Sequence, residues 1–181
     1  MATMHDDIDR ILFSQEQIAQ RVAEIGKQVS ADYSEPPLVV SILRGASIFM
    51  ADLVRQIDLP VEIDFMVVSS YGASTESSGV VKILKDVSSS LEGRHVLIVE
   101  DVLDTGLTLA SLVEMLQERN PASVSIAALL RKRECQKADV GCRYIGFECP
   151  DEFIVGYGLD YAEKYRNLPY IGVLKPEVYA N

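Results

Sequence analysis

A chain of 181 residues suits one compact domain that buries roughly 70% of the surface its unfolded form exposes; with 48% hydrophobic and 24% charged residues it falls outside the disordered class. Its 27 acidic and 17 basic residues give a net charge of −10, which repels a nucleic-acid backbone and favours small, locally bound phosphates helped by a divalent cation. No apolar run approaches about 18 residues, so no helical membrane span is expected.

The acidic start MATMHDDIDR lacks the basic and apolar regions of a signal peptide, and the cytoplasm is the expected compartment. Ile8, Ile11, Leu12, Ile18, Val22 and Ile25 recur at three- and four-residue steps, as one face of a helix requires. Ser14 and Gln17 offer a capping box, so the helix is predicted to begin near Ser14. Pro36-Pro37 halts it, and LVVSIL (38–43) reads as a buried strand. Arg44 and Gly45 then turn the chain into a second helix over 47–56. Residues 61–69 read as a strand, and the polar run GASTESSG (72–79) as a mobile loop or hairpin tip. Strands over 80–84, 96–99 and 124–130 and a helix over 107–119 follow. Cys135, Cys142 and Cys149 are odd in number and lack zinc-type spacing, so free or buried thiols are expected.

Strands alternating with helices predict a parallel sheet covered on both faces, with ligands at the carboxyl ends of the strands. From Arg143 the aromatic- and glycine-rich tail breaks this rhythm and reads as short strands and loops packed over that edge. One domain with a lid-like accessory region is the economical division.

The chemistry concentrates after Val99. Glu100 and Asp101 stand where a buried strand ends, and Asp104-Thr105-Gly106 precedes a helix. A helix N-terminus offers unpaired N–H groups and a positive dipole end, so Asp104, Thr105, Gly106, Leu107 and Thr108 form a candidate cradle for a dianionic phosphate. Gly106 admits close backbone approach, and the two threonines add hydroxyl donors. The acidic pair repels phosphate; its natural ligands are vicinal sugar hydroxyls or Mg²⁺. Phosphate at one end and hydroxyls beside it spell ribose 5-phosphate. From residue types alone, an acidic helix cap at Asp104 beside a solvated acidic pair competes on equal terms.

VLIVEDVLDTGLTL (96–109) resembles the phosphoribosyl pyrophosphate signature of type I phosphoribosyltransferases: hydrophobic residues, two acids, two further residues, then Asp-Thr/Ser-Gly and Thr. From about residue 38 to 171 the chain is similar to hypoxanthine-guanine phosphoribosyltransferases, through ILRGASIFMADL, SSYG, LLRKR and IGFECPDEFIVGYGLDYAEKYRNLPYIG. The resemblance implies an α/β type I fold with a small hood over the strand ends, a mobile active-site loop near 70–80 that includes Ser70 and Tyr71, and a base-binding region near 143–175. It implies phosphoribosyl pyrophosphate and a 6-oxopurine as substrates, hypoxanthine or guanine with xanthine as a minor candidate. The products would be IMP or GMP and pyrophosphate. Mg²⁺ and a homodimeric or homotetrameric assembly come with it.

Residue by residue, the resemblance makes Asp104 the general base at purine N7 and gives Glu100 and Asp101 the ribose hydroxyls and, directly or through water, the metal. Arg44, Gly45 and Arg166 match pyrophosphate-binding positions, in a loop where a non-proline cis peptide occurs. Lys132 matches a donor to purine O6, and a point cation there favours a carbonyl over an amino group. Phe153 matches a ring that stacks on the base, Ile154 a backbone contact to its edge, and Asp160 a metal ligand in the base region. Arg44 stands where some relatives have lysine, which keeps the charge. Leu107 is a departure, since relatives carry lysine or a polar residue there; backbone amides still suffice for phosphate. His5 and His95 match no catalytic position. Two competitors remain, a regulatory module that senses the sugar phosphate and controls a nucleic acid, and a transferase for xanthine, adenine or a pyrimidine. The acidic balance opposes the first, and Lys132 with the Phe153 region opposes adenine.

Overall fold

The computed structural model describes residues 3–70 and 81–180. Strand β1 (Ile8–Phe13) leads into α1 (Gln15–Asp32), β2 (Leu38–Ile42) into α2 (Ala46–Val54), and β3 (Glu62–Ser70) precedes β4 (Val81–Lys85). Strand β5 (His95–Leu103) leads into α3 (Leu107–Gln117), followed by β6 (Ser123–Arg131) and β7 (Tyr144–Glu148). The chain closes with β8 (Ile154–Val155), β9 (Ile171–Leu174) and the short α4 (Pro176–Tyr179). The predicted loop over 72–79, with Tyr71 and Val80, lies outside the described residues, as does the side chain of Ser70.

The main sheet has the order β4-β3-β2-β5-β6-β7. Strands β3, β2, β5, β6 and β7 run parallel, and β4 joins the edge antiparallel to β3. Helices cover both faces, as the alternating pattern predicts. On one face Ile18, Val22, Ile25 and Val29 of α1 and Phe49, Met50 and Leu53 of α2 pack against Val39, Leu97 and Val99. On the other, Leu109, Leu112 and Leu116 of α3 meet Leu38, Val40, Ile98 and Met66. Strand β2 is therefore buried along its whole length, because neighbouring residues alternate between two cores.

From β2 the chain crosses to β3 on one side; β5 returns on the other. Order reverses between β2 and β5, so the connections leaving their carboxyl ends diverge and open a crevice. Residues 43–45 and 100–106 occupy those ends.

Two expectations change. Ile8, Ile11 and Leu12 are not on a helix face but in β1, which pairs antiparallel with β9, Ile8 opposite Leu174 and Phe13 opposite Ile171. The helix begins after Ser14 as predicted, since the Ser14 hydroxyl accepts from the Gln17 N–H and the Gln17 side chain accepts from the Ser14 N–H at 2.8 Å. Strand β5 also runs past Val99 to Leu103, because the ladder to β6 continues through Val102 and Leu130. The acidic pair thus lies inside the strand. Strands β1, β9 and β8 make a second sheet of their own; its hood core gathers Val155, Tyr165, Leu168 and Leu174. Among the described residues no helix is long and apolar enough to cross a membrane.

Candidate active site

The loop after β5 begins with an exposed Asp104 and reaches α3 at Gly106. Gly106 has φ +78° and is the N-cap, with no side chain capping the helix, so Asp104 is not the cap that residue type alone would suggest. A Cβ at Gly106 would lie 2.6 Å from the Ala138 carbonyl and would strain a left-handed backbone as well. The loop is braced from outside: the N–H groups of Lys137 and Ala138 donate to the Thr105 carbonyl at 2.9 and 3.1 Å. A cavity of about 180 Å³ opens over this turn, lined among others by Glu100, Asp104, Thr105, Gly106 and Thr108. It sits where the first amides of α3 have no intrahelical acceptor.

Glu100 and Asp101 form the acidic wall of the crevice. Burial drives the carboxyl of Glu100 well above the ordinary carboxylate range, and the adjacent Asp101 charge pushes in the same direction. Asp101 is raised too, chiefly by burial; the Val102 N–H, 2.7 Å from its Oδ1, and the nearby Arg166 oppose the shift. Two desolvated carboxylates whose burial outweighs the nearby Arg166 charge form a site that gains from hydroxyl donors or a metal ion.

Three segments close around Asp101. A Cβ at Gly45 would lie 1.7 Å from Asp101 Oδ2, and one at Gly158, where φ is +103°, would lie 2.1 Å from the Gly45 carbonyl. Only glycine permits this three-way approach. The Leu43-Arg44 peptide that enters it is cis, as the resemblance implies. Arg166 donates to the Gly158 carbonyl at 2.8 Å and pairs with Asp160 at 2.8 Å. Glu163 joins the group, 2.8 Å from Arg44 and 3.4 Å from Arg166, and its N–H donates to Asp160 at 2.9 Å. Tyr157, Ala162, Glu163 and Tyr165 all have positive φ, a conformation that costs roughly 1–2 kcal/mol for each non-glycine residue. The fold concentrates backbone strain in the segment that delivers Arg166 and Asp160.

Lys132 follows β6, its side chain 14% exposed. It donates to Asp151 at 3.0 Å and to the Glu152 carbonyl at 3.2 Å. Burial works against its charge, but Asp151 and the field of Asp104 prevail and hold its pKa above the usual lysine value. Lys132 is therefore a firmly protonated donor. Phe153, beyond this loop, is 39% exposed and not the buried core ring that ordinary packing would make it. Ile154 is buried in β8, opposite Val173.

The fold thus brings Arg44, Gly45, Glu100, Asp101, residues 104–108 and Lys132 to the carboxyl ends of three adjacent strands, with Phe153, Ile154, Asp160 and Arg166 supplied by the hood side. Sequence reasoning missed Asp151, Gly158 and Glu163. Gly158 was signalled by the GYGLD turn, and Glu163 by its place three residues from both Asp160 and Arg166. Among the described residues no three His, Cys, Asp or Glu converge into a metal cage. This donor set fits Mg²⁺, which takes one or two carboxylates and completes its shell with water and substrate phosphates.

Residues 10–162 match the phosphoribosyl transferase domain. Over 177 residues the chain is 54% identical to the hypoxanthine-guanine phosphoribosyltransferase of Bacillus subtilis (strain 168), covering 97% of this chain and 98% of that relative. It is 53% identical over 179 residues to the enzyme of the same name from Staphylococcus aureus (strain Mu50), covering 98% and 100%. The crystal structure of a hypoxanthine phosphoribosyltransferase from Staphylococcus aureus superposes with a TM-score of 0.97 at 51% identity, over 99% of this chain and 98% of that one.

Proposed function

The chain belongs to the phosphoribosyl transferase family, and from that premise we propose how its residues divide the reaction it catalyses in purine salvage: transfer of the 5-phosphoribosyl group from phosphoribosyl pyrophosphate to hypoxanthine or guanine. The products are IMP or GMP and pyrophosphate. The observation that carries the assignment of roles is the exposed Asp104 lining, together with Glu100, one cavity over the start of α3, which no side chain caps.

The amides and hydroxyls of residues 104–108 hold the 5-phosphate, and Glu100 and Asp101 accept hydrogen bonds from the ribose hydroxyls. Arg44, the Gly45 backbone and Arg166 take the pyrophosphate. As the C1–oxygen bond to pyrophosphate breaks, positive charge develops on the ribose beside the acidic pair. A purine nitrogen bonds to C1 while the proton at N7 passes to the Asp104 carboxylate. Lys132 donates to O6, Phe153 stacks on the ring, and the Ile154 backbone meets its edge; xanthine is a minor third base. Asp160, with Glu100 and Asp101 directly or through water, would hold Mg²⁺, which supplies charge neutralisation for the departing oxygens. The hood keeps water from the reactive sugar. The acting form is a homodimer or homotetramer, to be weighed by light scattering. The compartment is the cytoplasm, in keeping with three free thiols.

A panel of bases incubated with phosphoribosyl pyrophosphate and Mg²⁺ tests the activity: nucleotide should form from hypoxanthine and guanine and not from adenine. Folded protein that converts no 6-oxopurine would sink it. Lys132→Met should raise the KM for both bases roughly 10- to 100-fold, the loss of one charged hydrogen bond, with little change in the KM for phosphoribosyl pyrophosphate. An unchanged base KM would remove Lys132 from the base subsite.

A further inference from the structure

Phe153 has a neighbour that no motif announces. Tyr179, the last residue of α4, stacks on it with ring centroids 4.6 Å apart and planes 17° from parallel. Tyr161 meets Phe153 edge-on at 5.4 Å and 85°, and Tyr179 edge-on at 6.5 Å. Tyr161 and Tyr179 both pack against the hood core of Val155, Tyr165, Leu168 and Leu174. Phe153, though stacked on one side, remains 39% exposed. One face is stacked against Tyr179, and more than a third of the residue stays accessible.

The backing is itself held in place. The Lys175 N–H donates to the Asp7 carbonyl at 2.9 Å and its ammonium to the Asp6 carbonyl at 2.6 Å. The Leu174 N–H donates to the Phe153 carbonyl at 2.9 Å. Thus β9 fixes the Phe153 backbone while α4, a few residues on, fixes its ring. An exposed phenylalanine without such a partner samples several rotamers and loses that freedom when a flat ligand binds; a pre-stacked ring has already lost it.

We infer that Tyr179 is a positioning residue of the base subsite, its ring holding Phe153 with the free face turned to the purine so that base, Phe153 and Tyr179 form one continuous stack. This rests on the reading of Phe153 as the base-stacking residue. The tyrosine hydroxyl has no part in it, so the aromatic face is what matters. The C-terminal segment thereby contributes to base affinity without touching the base.

Steady-state kinetics of Tyr179→Leu, Tyr179→Phe and Phe153→Leu test the inference. Tyr179→Leu keeps an apolar cover on the hood core and removes the stack. It should raise the KM for hypoxanthine and guanine roughly 3- to 10-fold, leaving kcat and the KM for phosphoribosyl pyrophosphate within about twofold; Tyr179→Phe should restore wild-type values. If Phe153→Leu raises the base KM and Tyr179→Leu does not, the inference fails and the reading of Phe153 stands. If neither variant moves it, both fail. A Tyr179→Leu enzyme impaired equally toward both substrates would mark a merely structural residue, and a lowered base KM would mean that Tyr179 covers the purine's own face; either overturns the inference.

Discussion

Two carboxylate sites on strands of the same sheet have opposite surroundings. Asp64, on β3, accepts from the Ser88 N–H at 2.6 Å, the Phe65 N–H at 2.7 Å and the Lys85 ammonium at 3.0 Å. Burial alone would raise its pKa, yet these donors hold it down to about 2. Glu100 and Asp101, on β5, are lifted by burial that is not offset in this way. The first site is finished by the protein and serves the scaffold. The second carries a cost in stability, and on the proposed function a ligand completes it.

The comparison breaks most sharply on Asp104, which belongs to the unfinished side. On the proposed role of Asp104 as general base, Asp104→Asn keeps the shape of the loop and removes the proton acceptor, so kcat should fall roughly 10²- to 10⁴-fold. Binding of phosphoribosyl pyrophosphate should stay measurable. Equal turnover in mutant and wild type would strip Asp104 of its role as base. Asp64→Asn addresses the finished side. With a folded-state pKa below the unfolded value, ionised Asp64 stabilises the fold above about pH 4, and that contribution fades as pH falls through about 2. The substitution should therefore lower the unfolding free energy at pH 7 by roughly 2 kcal/mol, measured by urea denaturation, and the gap from wild type should close towards pH 2. Activity per folded molecule should hold. A pH-independent gap would locate the effect in packing and not in the carboxylate.

The same division explains what could be read from the sequence. The strand-turn-helix over 96–109 was legible because its three parts follow within fourteen residues and the geometry of unpaired amides at a helix start is local. The main sheet was legible because apolar runs alternated with helical spacing. Long-range pairing was not. Ile8, Ile11 and Leu12 fit a helical period, and only β9, more than 150 residues away, makes them a strand. The contact of Arg44 with Glu163 spans 119 residues, and the meeting of Gly45, Asp101 and Gly158 joins three distant segments; no spacing rule connects them. Family resemblance placed Arg44, Asp160 and Arg166 individually. It said nothing of the ion-pair network that ties them to Glu163.

The smallest expected effect is also the one that separates the two sites most cleanly, because its sign is reversed. Glu100 is protonated in the folded chain at pH values where the unfolded chain, with an ordinary pKa of about 4.3, has already ionised. The folded state therefore loses ground as pH rises above that value, and the loss is complete once pH passes the raised folded-state pKa. Glu100→Gln removes the titration while keeping a hydrogen-bonding side chain of the same size. It should stabilise the protein at pH 7, an advantage that shrinks to nothing as pH falls towards 4, while the KM for phosphoribosyl pyrophosphate rises. Urea melts of wild type and variant across that range give the comparison directly. A variant that is less stable at pH 7 would show that Glu100, like Asp64, is satisfied by the fold itself, and the contrast between the two carboxylate sites would then collapse at its central residue.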